Sequence, residues 1–213
     1  NGCYSSQNEQ DSRFYARSAG VPMLEPADSK ECLEYVELAF ELSEKYDTVM
    51  MIRSNTRISH SRSVVELGEI KIPELKEYKK NTDKYVAMPA AARKLHIAQE
   101  KRLKKFAEDS NRFEINRIEE GSEEMGIITS GICYQYAKEA LPEASFLKLG
   151  SINPLPKDLI REFTEKVKKT FVIEEGQPFI EEQIKAMGIN VCGKDLFTVQ
   201  GEYSVNSIKE VFR

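Results

Sequence analysis

GIITSGICYQYAKEA, residues 126–140, followed by SFLKLG, residues 145–150, decides the fold. Gly126-Ile127-Ile128-Thr129 is a short apolar run of the kind that fills a buried strand. Ser130-Gly131 turns the chain, and a helical pattern then runs to Ala140. Ser145 to Leu149 reads as the next strand. Strand, helix, strand in that order predicts a right-handed crossover and a parallel sheet. Downstream the pattern repeats. Pro156 opens a helix with Ile160, Phe163 and Val167 inward, TFVIE (170–174) is a strand, and Pro178 opens a helix with Ile180, Ile184 and Met187. Residues 189–192 read as a further strand, 197–200 as a weaker one, and 204–212 as a last helix. The alternation predicts a complete three-layer αβα domain over residues 124–213.

Upstream, residues 1–60 carry less of the same architecture. Ser5 or Ser6 is expected to cap a helix reaching Ala19, with Gly20 ending it. Residues 21–25 read as a buried strand. Asp28 with Glu31 makes a helix start, and Cys32, Leu33, Val36, Ala39 and Phe40 predict one buried face up to about Tyr46. TVMMIR (48–53) has the unbroken apolar run of a strand covered on both faces. Two strands cannot cover a layered core alone, so this domain is expected to be partial. Asn1-Gly2-Cys3, with neither an initiator Met nor a signal peptide, also reads as the inside of something longer. Residues 61–123 read as a connection, with a short strand at 85–88, a helix at 90–108 and a polar linker at 109–123. The helix carries Ala92, Leu95, Gln99, Leu103 and Phe106 on one stripe and Arg93, Lys94, Lys101, Arg102, Lys104 and Lys105 elsewhere.

Composition narrows the function. The chain has 213 residues, 40% of them hydrophobic and 31% charged, which supports a core without disulfides or metals. No stretch approaches the ~20 apolar residues of a membrane span. The formal net charge of −4 argues against nucleic acid as a partner and favours a solvated face for the basic helix. Cys3, Cys32, Cys133 and Cys192 are scattered, which fits a reducing, cytoplasmic setting rather than a disulfide scaffold or zinc ribbon. With only His60 and His96, no metal site is expected, and no phosphate-binding, metalloprotease or nucleophile-elbow motif is present.

Ligands of open α/β sheets bind beyond the carboxyl ends of the strands. Three segments qualify. Residues 2–13 gather hydroxyls, amides, Glu9, Asp11 and Arg13, where a carboxylate or phosphate could be held; the alternative is a polar helix start. Arg53-Ser54-Asn55-Thr56-Arg57-Ile58-Ser59-His60 follows TVMMIR as a compact polar segment at the ligand end of a strand; the alternative is a self-satisfied turn. Glu174-Glu175-Gly176 follows TFVIE. Adjacent residues point in different directions, so an interface or capping role is favoured over a catalytic pair.

Read together, SSQNEQDSR (5–13), MLEP (23–26), AFELSE (39–44), RSNTRISHS (53–61), GIITSGICYQYAKEA (126–140), LKLG with PLP (147–156), VIEE (172–175) and PFIEEQ (178–183) resemble the α subunit of indolepyruvate ferredoxin oxidoreductases. The resemblance implies a thiamine diphosphate enzyme that oxidatively decarboxylates an aryl 2-oxoacid onto coenzyme A and reduces ferredoxin. It implies that residues 1–60 are the rear of a pyrimidine-binding domain and 124–213 a transketolase C-terminal-like domain. It also implies a β subunit and a homo- or hetero-oligomer. Site residues implied by position are Ser5, Ser6, Gln7, Asn8, Glu9, Gln10, Asp11 and Arg13, with Thr56, Arg57 and His60. They bind and orient; Arg13 is the expected holder of the substrate carboxylate, and no residue here is a catalytic acid or base. Asn1-Gly2-Cys3-Tyr4 departs from the Pro-Gly-x-His usual there. The activating glutamate, the Gly-Asp-Gly motif for diphosphate and Mg²⁺, and the cysteines for iron–sulfur clusters have no counterpart in these residues. None of these cofactors is therefore expected on this chain alone, which is expected to be inactive. A pyruvate or 2-oxoglutarate enzyme subunit and a non-catalytic docking or assembly module are the alternatives.

Overall fold

The computed structural model describes residues 7–70, 72 and 74–213. Ser5 and Ser6, the expected helix caps, lie outside them. The first helix, α1 (Arg13–Ala19), is shorter than expected; it starts after Ser12 and ends at Gly20 in the left-handed conformation. Strand β1 (Met23–Leu24) is fully buried. Helix α2 (Ser29–Tyr46) is capped by Asp28, whose carboxylate accepts the Glu31 N–H at 2.9 Å. Strand β2 (Met51–Ile52) pairs in parallel with β1, completing the predicted βαβ unit.

Two details differ from the sequence pattern. The buried face of α2 is Glu31, Tyr35, Ala39, Leu42 and Tyr46, while Leu33, Val36 and Phe40 are exposed. The polar groups on that face are buried with partners: the Tyr46 hydroxyl donates to Asp109 Oδ2 at 2.6 Å, and Tyr35 and Glu31 meet a lysine described below. Strand β2 is not covered on both faces. It lies at a sheet edge, and Val49 beside it is 70% exposed.

In the connection, α3 (Thr56–His60) is capped by Asn55, and the strand expected at 85–88 does not form: α4 (Thr82–Tyr85) ends at its first residue and 86–88 are irregular. Pro89 occupies the first turn of α5 (Pro89–Ser110), which packs Phe106 against Tyr46 and Phe113. The predicted 109–123 linker is partly sheet: β3 (Arg117–Glu119) pairs antiparallel with β5 (Ala144–Leu149), and β4 (Ser122–Ser130) has already begun.

Strand β4 and α6 (Gly131–Ala140) follow the predicted register, and β4 lies parallel to both β5 and β7 (Thr170–Ile173). The sheet order is β3-β5-β4-β7. One face packs Ile127, Phe146, Phe171 and Ile173 against α6 and α9 (Val205–Val211). The other packs Ile128, Leu147, Leu149 and Val172 against α7 (Lys157–Glu165) and α8 (Phe179–Lys185). This is the expected αβα sandwich. Residues 189–192 contribute a single bridge, Cys192 to Phe171, and 197–200 form no strand.

Like β3, a second strand has no counterpart in the sequence reading. After β5, Gly150 turns the chain into β6 (Ser151–Asn153), which pairs antiparallel with β1. The order β2-β1-β6 therefore completes the first sheet with chain from the second half. Gly150 is needed for close approach, because a Cβ there would sit 2.6 Å from the Ile115 carbonyl oxygen and against the Tyr35 hydroxyl. Gly150→Ala is expected to cost about 1–3 kcal/mol, the usual cost of overpacking. Gly68→Ala, which meets nothing within 4 Å, is expected to leave stability unchanged. Urea unfolding of the two variants measures the difference.

Candidate functional site

The two sheets bring their strand ends together. Asp11 and Arg13 precede or open α1, Glu25 follows β1, Arg53 and Asn55 follow β2, Ser130 ends β4, and Glu174 and Glu175 follow β7. All except Asp11 are buried, a placement that requires charges and hydrogen-bonding groups to satisfy one another.

Arg13 is the hub. It is 1% exposed. Its Nε donates to Asp11 Oδ1 at 2.8 Å and its Nη2 to Asp11 Oδ2 at 2.5 Å. Nη1 donates to Glu174 Oε2, and Nη2 also reaches the carbonyls of Glu175 at 2.7 Å and Gln177 at 2.8 Å. Burial alone would lower the Arg13 pKa, but Glu174 and Asp11 raise it, so the guanidinium stays charged. Burial would likewise raise the Asp11 carboxyl; the hydrogen bond and charge of Arg13 outweigh it and hold Asp11 below the usual carboxylate range. Glu174 in turn caps α8, accepting the Ile180 N–H at 3.0 Å and the Glu181 N–H at 2.9 Å. The capping and interface role expected for Glu174 is what the geometry shows. Arg13 is a bolt between the two units, with its donors turned to protein acceptors rather than outward.

A second buried pair lies beside the first. Glu25 accepts from Arg53 Nη1 and, at 2.8 Å, from the Ser130 hydroxyl. Gly131, at φ 54°, leaves room for it; a Cβ there would lie 2.8 Å from Glu25 Oε1. Burial and the Arg13 charge bring Arg53 down to about 10. Burial raises the Glu175 carboxyl, opposed by the Tyr203 N–H that it accepts at 3.0 Å.

A third bolt joins α2 to β5. Lys148 is fully buried, and its Nζ donates to Glu31 Oε2 at 2.6 Å and to the Tyr35 hydroxyl at 2.5 Å. Burial lowers Lys148, with Glu31 opposing. Glu31, which burial would raise, is held low by the Lys148 charge.

The remaining candidates form a rim. Gln7, Asn8 and Gln10 are exposed. Glu9 accepts the Gly201 N–H at 3.1 Å. Thr56, Arg57 and His60 are exposed on α3, and Arg57 grips Glu202 in a bidentate pair at 2.6 Å. Residues 7–10 and α3 are thus anchored on neighbouring residues of one loop. Sequence reasoning singled out Arg13, the segment that Arg53 opens and the Glu174-Glu175 step but missed Glu25, Ser130 and Lys148. A charge closing an apolar strand was the available signal for Glu25. Among the described residues no group of three or more His, Cys, Asp or Glu is placed to hold a metal, and no helix is long and apolar enough to cross a membrane.

Glu174→Gln is expected to lower stability by about 3–5 kcal/mol, because it leaves a buried guanidinium short of a countercharge. Lys166→Ala, which breaks an exposed pair with Glu162, is expected to change it by less than about 1 kcal/mol. The depressed carboxyls of Asp11 and Glu31 contribute stability that is complete above their unfolded values of about 4 and is lost as pH falls through the folded ones. Urea midpoints should therefore fall on acidification below about pH 4.

No family model matches the chain. Its sequence is 40% identical over 215 aligned residues to the indolepyruvate oxidoreductase subunit IorA of Archaeoglobus fulgidus, covering 97% of this chain and 34% of that protein. The IorA subunits of Thermococcus kodakarensis and Pyrococcus horikoshii are 41% and 40% identical over 91% of the chain and 33% of theirs. The chain spans about a third of the length of these relatives. In structure it resembles 2-oxoglutarate:ferredoxin oxidoreductase from Magnetococcus marinus, with a TM-score of 0.65 and 18% identity, over 96% of this chain and 45% of that one. A split-gene transketolase shares the fold at a TM-score of 0.50 and 16% identity, over 90% and 56% of the two chains. Over nearly all of its own length, then, the chain is homologous to about one third of the IorA subunit of indolepyruvate oxidoreductases.

Proposed function

We propose that the chain is part of the α subunit of a 2-oxoacid:ferredoxin oxidoreductase acting on aryl 2-oxoacids such as indolepyruvate. The single observation that carries this reading is collinear identity of 40% along 97% of the chain. The parent reaction joins the 2-oxoacid and coenzyme A, releases carbon dioxide, and passes two electrons to ferredoxin. In this reading residues 1–60 are the rear of the pyrimidine-binding domain, 61–123 the connection and 124–213 the transketolase C-terminal-like domain. A β subunit and oligomeric assembly in the cytoplasm belong to the same proposal.

Among the described residues, the buried charges at the strand ends do not by themselves form a cradle for thiamine diphosphate. The cavity among the buried charges, between Arg13, Arg53, Ser130, Cys133 and Glu175, is about 10 Å³. Pockets that hold small molecules run to roughly 300–1,000 Å³. Magnesium and iron–sulfur clusters likewise belong to other parts of the parent in this reading. The chain's own contribution is positional. The buried bolts hold the two units at a fixed angle, and the rim of Gln7, Asn8, Gln10, Thr56 and His60 faces solvent, where a substrate or neighbouring domain is met. Arg13 acts through the bolts, not by direct contact.

Two measurements test this. The 213-residue chain should show no thiamine diphosphate binding by calorimetry with Mg²⁺ present, and micromolar binding would overturn the positional reading. In the assembled full-length enzyme, Gln10→Ala should raise KM for indolepyruvate several-fold while thermal stability stays put. A preference for pyruvate or 2-oxoglutarate in the same assay would instead assign the chain to those branches.

A further inference from the structure

Arg53 is a buried cation with an incomplete set of partners. It is 5% exposed, and Nη1 is bonded to Glu25. Among the described residues its Nε, also buried, meets no protein acceptor. A buried donor left alone costs about 1–3 kcal/mol, so native structures nearly always supply one. Arg53 also lines a cavity, together with Arg13, Glu25, Glu174 and Glu175. Its volume is about 10 Å³. That is close to the space one water needs, and polar walls are the second requirement for a buried water.

We propose that this cavity is a binding site for a single structural water, which accepts from Arg53 Nε and donates to the acidic wall that includes Glu175. The chemistry favours water over a small anion. Arg13 and Arg53 face three carboxyls, Glu25, Glu174 and Glu175, so the walls do not carry the excess positive charge an anion needs. The group required is one that accepts and donates at once. Glu175 has one carboxylate oxygen occupied by the Tyr203 N–H and lines the same space. The site lies where chain from β2, β4 and β7 converges, so its occupant is shared by both units. The proposal is independent of the substrate assigned above.

Diffraction from the protein at about 1.5 Å decides it. The expected result is one peak 2.7–3.2 Å from Arg53 Nε, the range of N–H···O bonds. Nε bonded to a protein oxygen with the cavity closed would overturn the site, and anomalous signal there after a bromide soak would overturn its occupant. In solution, the Arg53 Nε–H should show a cross-peak to water with the sign of a long-lived, bound molecule, and absence of that peak counts against the site.

Discussion

A guanidinium with almost no contact with water governs this structure. Arg13 at the start of α1 reaches Glu174 at the end of β7, 161 residues away. Removing two such charges from water costs several kcal/mol each, which their attraction offsets only when geometry is close and the remaining donors are satisfied. Here both conditions are met: Asp11 takes one edge of the fork, two carbonyls take another, and Glu174 is itself held by backbone N–H groups of α8. Hydrophobic packing brings the two units together without dictating how they are turned. The bolts dictate it, because a tilt that leaves the apolar contacts of Ala16 and Met23 nearly intact would strand a buried charge.

The same logic extends along the interface. Glu25 with Arg53 and Ser130 adds a second buried ion pair at neighbouring strand ends, and Glu31 and Tyr35 of α2 add a third with Lys148 of β5. Three charged contacts in a row define an orientation, where one would define only a pivot. β6 adds backbone pairing to the same seam. The exposed rim residues are therefore carried on a rigid base, which is what sites that position a substrate require.

Most of the fold was legible because buried parallel strands read as short apolar runs. Residues 126–129, 145–149 and 170–173 are of this kind. The face of α2 was not legible. The helix has two stripes that could be buried, and the one that is buried carries Glu31, Tyr35 and Tyr46 because Lys148 and Asp109 wait for them, 117 and 63 residues away. β3 and β6 are three residues each, too short to show a period. Within the site, position at strand ends identified Arg13 and the Glu174-Glu175 step. The pairing between them depends on tertiary approach that no local pattern encodes.

The long reach from Arg13 to Glu174 also sets an order of events. During synthesis the first unit emerges with Arg13, Glu25, Glu31 and the edge of β1 already made, while β6, Lys148 and Glu174 do not yet exist. Its charges stay solvated and its sheet stays one strand short until β6, Lys148 and Glu174 are made. The loop that must close is long, and such contacts form slowly. Docking of the two units therefore waits on residues made long after Arg13, and β1 keeps an open edge in the interval.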